Sequence, residues 1–425
     1  MYPLSNPQKL IYEMEKYASG TVAVVCGSVL LEGQKEPADL AHTVNEVFRC
    51  NDALRTRVVE QEGNVLQVIE GFQEQTVNVL QFDSKNAFTI YAEEYAKIPV
   101  ALNGPLCEIQ VVRLPEHCGL LVKCHHIISD AWTLTLIASQ FCALLAGEEP
   151  TAYPYSEFVE SEAVYAQSDR RKKDKTFFLE QFKACPEAVY LSEKTGDCYD
   201  ACRSTFKVNA NLTAQLRSYA KAHNTSPFVL FLTAFACYFS RVKNNAEYFY
   251  LGTPILNRKN SREKHTMGMF VNTVPVLAHV DYKCSFVENL DAMQAETLAV
   301  LRHQKFHYNE ILTAIRQEYD FTEKLYDVIL SYQNAAVTGA GHEAETTWYH
   351  SGMQTESLQI HIDDRDGKGV FRIHLDYRTD KFTNSGIQRM YGHILNLLQD
   401  AISHDRKNTG EAGAVVPGGR TASAP

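Results

Sequence analysis

The sequence predicts a mixed α/β protein organised as two lobes, and three observations carry that expectation. Segments with strand and helix character recur in both halves of the chain, so a sheet-plus-helix layer forms twice. The 425 residues exceed one average domain and fit two of about 200 residues each. Hydrophobic residues at 45% and charged residues at 22% match ordinary globular usage, which excludes a largely disordered chain.

The first half mixes the two element types. Residues 4–17 read as a helix, with Ser5 as its N-cap and Pro7 tolerated in the first turn. Residues 22–31 are rich in β-branched side chains and read as a strand. Residues 40–49 place Leu40, Val44, Val47 and Phe48 on one helical face. Residues 55–59 and 65–69 read as strands around Glu62-Gly63-Asn64, a hairpin signal. Residues 108–114 and 120–123 form a further strand pair, and 132–145 return to helix.

A loop near 186–200 separates the second unit. Residues 203–208 read as a strand, 212–223 as a helix and 227–242 as a second, very apolar helix. Residues 249–252, 328–331 and 371–377 read as strands, and 382–401 as a closing helix. Periodicity leaves the strand order open.

Several classes are excluded or disfavoured. No run approaches the roughly 18–20 apolar residues a membrane span requires. Met1-Tyr2-Pro3-Leu4-Ser5 has neither a basic start nor an apolar signal core, so a cytoplasmic location is expected. Lysine and arginine total 41 against 51 acidic residues, a net charge of −10, which disfavours nucleic acid as the main partner. The one basic run, Arg170-Arg171-Lys172-Lys173, reads as a solvated helix face, with a patch for phosphate or an acidic partner as the sharper alternative. Eleven scattered cysteines with no CxxC pair indicate neither a disulfide framework nor a zinc site. They read as small buried hydrophobes, in keeping with a reducing compartment. From about residue 405 the chain turns small and Gly/Pro-rich, as a linker does.

The stretch Leu121-Val122-Lys123-Cys124-His125-His126-Ile127-Ile128-Ser129-Asp130-Ala131-Trp132-Thr133 carries the chemistry. An apolar strand runs into two histidines, and Asp130 stands where a helix begins. Neighbouring strand side chains point to opposite faces, so one histidine faces an open cleft and the other turns inward. Imidazole exchanges a proton near neutral pH, and its N–H stabilises a developing oxyanion. Pattern alone leaves a second reading open: two buried, hydrogen-bonded histidines with Asp130 as a plain N-cap. His125, His126 and Asp130 supply only part of a metal-ligand set, and no metal is expected.

The run His125-His126-Ile127-Ile128-Ser129-Asp130-Ala131-Trp132 resembles the HHxxxDGW motif of nonribosomal peptide synthetase condensation domains. Further matches follow in order. Ser5, Gln8 and Tyr12 resemble the family's opening helix. Arg49-Cys50-Asn51-Asp52-Ala53-Leu54-Arg55-Thr56 resembles RHExLRT, departing at Cys50 and Asn51. Asn103-Gly104-Pro105-Leu106 resembles the Gly-Pro-Leu before the histidine strand. Gly252-Thr253-Pro254-Ile255-Leu256-Asn257-Arg258 resembles GTPxxxR, and Gly268-Met269-Phe270-Val271-Asn272-Thr273 resembles GxFVNT. Ser331-Tyr332-Gln333-Asn334 resembles the late SYQN-like strand. The resemblance covers residues 2–402.

The resemblance implies two chloramphenicol-acetyltransferase-like lobes in a V-shaped pseudodimer with an active-site tunnel between them. It divides the chain into an N-terminal lobe over 1–180 carrying HHxxxD, a C-terminal lobe over 181–404 with floor-loop and latch segments, and a flexible linker over 405–425. It implies thioester aminolysis. The amine of an aminoacyl thioester, held on the phosphopantetheine arm of a peptidyl carrier protein, attacks a donor acyl thioester. No bound cofactor is implied. An adjacent adenylation domain is implied as a neighbour.

By the same resemblance His126 is the catalytic histidine, and His125 is its inward-facing support. Asp130 is mainly structural and pairs with Arg258, joining the histidine loop to the second lobe. Ala131 stands where the motif has glycine. Trp132 packs at the helix start and, with Ser129, is a tunnel candidate. Asn272 and Thr273 fall on the floor loop, and Ser331, Gln333 and Asn334 on the late strand, as substrate candidates. His303, Gln304 and His307 read as structural. Asp363, Asp364, Arg365, Asp366 and Gly367 read as a solvated hairpin tip at the family's latch position.

Only four residues precede Ser5, which points to a starter-type domain that takes its acyl group from acyl-CoA or an acyl carrier protein. It would N-acylate the first amino acid of a lipopeptide. An elongation domain with a peptidyl donor, an epimerization domain and an inactive carrier-docking platform are the alternatives.

Overall fold

A computed structural model describes residues 1–18, 20–185, 187–192, 196, 198–335, 337, 344–365, 369–404 and 409. The expected linker outside Thr409, parts of the 186–200 loop, and Asp366 and Gly367 of the expected hairpin tip lie outside the described residues.

The chain divides into two compact α/β units, but not at one linear boundary. The first comprises residues 1–168, 256–271 and 335–355, and the second residues 169–255, 272–334 and 356–425. The division expected at 180/181 therefore falls at 168/169. The helix Asp169–Ala184 buries Phe178, Leu179 and Phe182 in the second unit's core, which explains the shift. Two stretches of the C-terminal half return to the first unit, and Arg258 lies on one of them.

The first unit is built on a five-stranded sheet. Its strand order is Ala344–Tyr349, Val24–Glu32, His117–His125, Cys107–Arg113 and Val79–Gln81. All neighbours are antiparallel except the last pair. Val24 sits opposite His125 in the register, so the histidine strand runs its full length beside a buried neighbour. Leu120, Leu121 and Cys124 are fully buried and anchor that strand from its two faces. The helix Pro37–Cys50 buries Leu40, Val44, Val47 and Phe48, the stripe its spacing predicts. The hairpin Thr56–Gln61 with Asn64–Ile69 turns through Glu62 at φ 52° and Gly63 at φ 77°. Two positive φ values in succession are the mark of a type I′ turn.

The second unit holds a six-stranded sheet in the order Asn272–His279, Tyr248–Ile255, Val328–Gln333, Leu358–Asp363, Arg372–Arg378, Ala201–Lys207. The apolar helix Pro227–Val242 packs within its core, as do Phe286–Arg302 and Asn384–Ser403. Residues 272–273, expected in a floor loop, instead open a strand paired to Tyr248–Ile255. Pro275 interrupts an otherwise apolar run there, and a proline weakens the strand signal in sequence. Thr409 falls inside the expected flexible linker, yet it is buried: its N–H donates to Cys284 O at 2.9 Å and its hydroxyl accepts from Asn289 Nδ2 at 3.0 Å.

The basic run forms a paired helix face. Arg170 meets Asp174, Arg171 meets Glu310 and Lys172 meets Asp169. All eleven cysteines are free, and most are buried. Among the described residues no single helix is long and apolar enough to cross a membrane.

Candidate active site

The histidine strand ends in a turn whose backbone is held on both sides. His125 N–H donates to Leu106 O at 2.7 Å, and His126 N–H donates to Ala23 O at 2.7 Å. Within the turn, Ile128 N–H and the Ser129 hydroxyl both donate to His125 O, at 3.1 and 3.0 Å. Ser129 is fully buried in this role, so its hydroxyl closes the turn and is not presented to a substrate.

The two histidines differ in burial: His125 ends the strand, and His126 opens the turn that follows. The His125 side chain is completely buried: its Nδ1 accepts from Ile127 N–H at 3.0 Å, and its Nε2 lies 3.1 Å from Glu15 Oε2. His126 is only half-buried, and its Nδ1 has no hydrogen-bond partner. Burial is the largest influence on this imidazole and pushes it below its ordinary 6.5; the nearby backbone of His126 and Ser129 and the Asp130 charge pull upward and do not prevail. His126 is therefore neutral at pH 7 and able to accept a proton.

Asp130 caps the helix Ala131–Leu145, accepting Thr133 N–H at 2.9 Å on Oδ1. It is also the hub of a buried brace. Arg258 donates from Nη1 to Oδ2 at 2.7 Å and from Nη2 to Oδ1 at 3.1 Å, and neither side chain is exposed. Phe270 N–H donates to Oδ2 at 3.1 Å. Burial alone would raise the Asp130 carboxyl, but the Arg258 guanidinium and these donors outweigh it and hold it below the usual value. Arg258 also donates to Gly268 O and covers the Phe270 ring at 4.1 Å. The expected pairing is thus present, with one correction. It closes within the first unit, because residues 256–271 leave the second unit's sheet at Ile255 and return to it at Asn272.

Gly268 completes the brace. Its N–H donates to the Thr133 hydroxyl at 3.0 Å, and its φ is +141°. A Cβ there would lie 2.1 Å from Tyr155 Cδ2, so only glycine fits. Tyr155 donates to Met269 O at 2.5 Å, and its oxygen lies 2.8 Å from Ser5 Oγ. Ala131, in the motif's glycine position, is not among the positive-φ residues and opens the helix in an ordinary conformation. Trp132 is half-buried and donates from Nε1 to Lys264 O at 2.8 Å, a packing role.

The remaining candidates belong to the second unit. Asn272 is buried and fully engaged: Nδ2 donates to Gln304 O at 2.9 Å and Phe306 O at 3.3 Å, and Oδ1 accepts Tyr308 N–H at 3.2 Å. It holds the 304–308 backbone. Thr273 is half-buried, and its carbonyl accepts from Tyr326 at 3.3 Å. Ser331 is buried with Oγ 2.7 Å from His361 Nδ1, and His361 Nε2 lies 3.3 Å from Asp376 Oδ2. Gln333 is half-buried and Asn334 exposed. His303 pairs with Asp174 and stacks on Phe177, as a structural histidine does. At the expected hairpin tip Asp363 is buried and paired with Arg365, not solvated. No group of three or more His, Cys, Asp or Glu side chains among the described residues could hold a metal ion.

Sequence inspection missed Glu15, Thr133 and Tyr155. Thr133 carried a signal, lying three residues after a capping aspartate. Glu15 and Tyr155 carried none, since their partners lie 110 and 114 residues away.

Two α/β units, one presenting a neutral imidazole on a braced strand-to-helix turn, define an acyltransferase-like protein. The family described as Condensation domain matches residues 1–417, and the chain belongs to that family. Condensation domains catalyse amide bond formation, and the curated relatives of this chain include peptide synthases. A plipastatin synthase of Bacillus subtilis (strain 168) is 26% identical over 420 residues, covering 95% of this chain and 16% of that protein. Surfactin synthase subunit 1 of the same organism is 28% identical over 434 residues, covering 95% and 12%. The chain thus spans less than a fifth of these relatives. Among solved structures, the starter condensation domain of rhizomide synthetase, in complex with C8-CoA and Leu-SNAC, matches with TM-score 0.85 at 20% identity, over 96% of each chain. The first condensation domain of the calcium-dependent antibiotic synthetase matches with TM-score 0.83 at 15% identity, over 96% of this chain and 98% of that one. The fold is the chloramphenicol-acetyltransferase-like fold of these domains.

Proposed function

We propose that this chain N-acylates an aminoacyl thioester carried on a peptidyl carrier protein, taking its acyl group from acyl-CoA or an acyl carrier protein. The observation that carries the reading is His126: a half-buried, neutral imidazole whose buried Nδ1 has no hydrogen-bond partner, on a turn fixed from both ends.

The amine nitrogen attacks the donor carbonyl carbon, and a tetrahedral intermediate forms. The carbon–sulfur bond then breaks. The amine proton passes to His126 and on to the departing thiolate, leaving an N-acyl aminoacyl thioester and a free thiol. An α-amino group has a pKa of about 7.7–8, so a useful fraction is neutral at pH 7 and no strong base is needed. His126 orients the amine and accepts its proton as positive charge builds on nitrogen.

Starter chemistry is supported by the likeness in fold to a starter condensation domain whose structure holds C8-CoA and Leu-SNAC. The free thiols suit a cytoplasmic setting, where acyl-CoA is available. The substrate candidates Thr273, Gln333 and Asn334 keep side chains at least partly accessible for a thioester arm. An adenylation domain that loads the carrier is the partner this reaction requires.

Donor competition tests the reading. The chain is incubated with octanoyl-CoA, an octanoyl carrier protein or a dipeptidyl carrier protein, each with a panel of aminoacyl carriers. Octanoyl transfer from the coenzyme or acyl carrier is expected. Transfer from the dipeptidyl carrier alone would replace the starter reading with elongation. Inversion at Cα without acyl transfer would replace it with epimerization.

A further inference from the structure

We infer that Glu15 is a positioning residue for His126, acting through the ring of His125: the Glu15 carboxylate fixes the tautomer that lets the ring hold the turn. The inference rests on the proposed amide-forming reading for its kinetic consequence only.

The His125 ring is bonded at both nitrogens and its side chain has no exposure. Nδ1 lies 3.0 Å from the backbone nitrogen of Ile127, which can only donate. Nδ1 must therefore be bare. The proton of the neutral ring then sits on Nε2 and points at Glu15 Oε2, 3.1 Å away. The ring satisfies its two neighbours in this tautomer alone.

The two contacts sit on different parts of the fold. Glu15 belongs to the helix Asn6–Tyr17, whose start is fixed by a capping box between Ser5 and Gln8. Ile127 is the residue after His126 and lies in the same turn. The His125 ring thus ties the His126 turn to that helix. The turn is held at its far end by Asp130, through Arg258 and Phe270. Glu15 and Asp130 are separate anchors, one on each side of His126.

Removing the carboxylate has a definite consequence. A buried Nε2–H without an acceptor is unfavourable. The ring relieves this by turning or shifting toward another acceptor, which strains its Nδ1 bond from Ile127 N–H. One side-chain anchor of the turn is loosened, and the His126 imidazole is held less tightly, although the backbone bonds to Leu106 and Ala23 remain. Displacements of about 1 Å at a reacting group cost on the order of a hundredfold in rate. Glutamine at position 15 retains an acceptor oxygen and should keep the lock.

The test uses the full chain and two variants. Glu15→Ala is expected to lower kcat about tenfold to a hundredfold. Its KM values should stay within about twofold, since no contact to substrate is removed. Glu15→Gln should retain kcat within about threefold. A long-range proton–nitrogen NMR spectrum of histidine-labelled protein, taken without substrate, should show His125 as the Nε2–H tautomer in wild type and in Glu15→Gln. In Glu15→Ala the His125 ring-nitrogen and Nε2–H signals should shift and broaden as the ring loses its acceptor. An unchanged ring signal in Glu15→Ala, or a kcat equal to wild type, would overturn the inference. So would a Glu15→Gln variant that folds normally and loses as much kcat as the alanine variant. If Glu15→Ala does not fold, Glu15→Gln decides: retained rate and tautomer support the lock, and loss of either overturns it. If wild type forms no amide with any donor, the proposed function fails, while the ring signal still decides the lock.

Discussion

Arg258 Nη1 donates to Asp130 Oδ2 at 2.7 Å, and both side chains are completely buried. This pair joins segments 128 residues apart and fixes the helix start behind His126. Removing one partner of a buried pair strands the other charge, at about 3–5 kcal/mol. Asp130→Ala and Arg258→Ala should each destabilise by that order in chemical denaturation. The double variant should cost about 0.5–3 kcal/mol less than their sum. Additive effects would show that the pair is not a unit. The same carboxyl contributes to acid sensitivity. Its folded value is depressed, so its contribution is present above the unfolded value near 3.9 and lost as pH falls through the folded value. Asp130→Asn should flatten the stability decline below about pH 4.

Gly268→Ala should be among the most disruptive single-methyl changes in the chain. The new Cβ would meet Tyr155 Cδ2 at 2.1 Å, and the backbone φ of +141° disfavours any side chain. Overpacking and backbone strain each cost about 1–3 kcal/mol, so a loss on the order of 2–4 kcal/mol is expected by urea unfolding. A Gly268→Ala variant of wild-type stability would refute the role given to this glycine.

Asn272→Ala should act on stability and not on substrate affinity. Its amide spends all three of its hydrogen bonds on the backbone of residues 304–308. Losing a buried amide's partners costs about 1–3 kcal/mol. Thermal denaturation should show the loss, while KM for the aminoacyl thioester stays near wild type. A selective rise in KM at unchanged stability would restore the substrate role expected from its motif.

The pH dependence of kcat/KM should carry two acid limbs. Loss of the neutral amine gives unit slope below about 7.7–8. His126 is pushed below 6.5 by burial, so its protonation adds a second unit of slope only below that value. A profile measured from pH 5 to 9 should steepen accordingly. A second limb above 6.5 would contradict a buried neutral imidazole.

The site was legible where it is contiguous. His125, His126 and Asp130 lie within six residues, and of the two histidines His125 is the buried one, although His126 lies in the turn beyond the strand, where alternation does not apply. Arg258 came only from resemblance, because nothing local to it signals a partner 128 residues away. The GxFVNT segment was recognised, but weight fell on Asn272 and Thr273. The structure gives the bracing role to Gly268 and to the Phe270 backbone instead. The strand Ala344–Tyr349 joins the first unit's sheet from the C-terminal half, a pairing that no local pattern encodes. The short edge strand Val79–Gln81 is exposed or half-buried at each position and lacks an alternating pattern.

The central claim is that His126 enables amide formation on this chain. Intact-mass spectrometry of an aminoacyl carrier protein, incubated with octanoyl-CoA and either wild type or His126→Ala, tests it most directly. A mass gain of one octanoyl group is expected with wild type, and its loss with a His126→Ala variant that melts normally. Equal gain with both proteins would contradict the role assigned to His126.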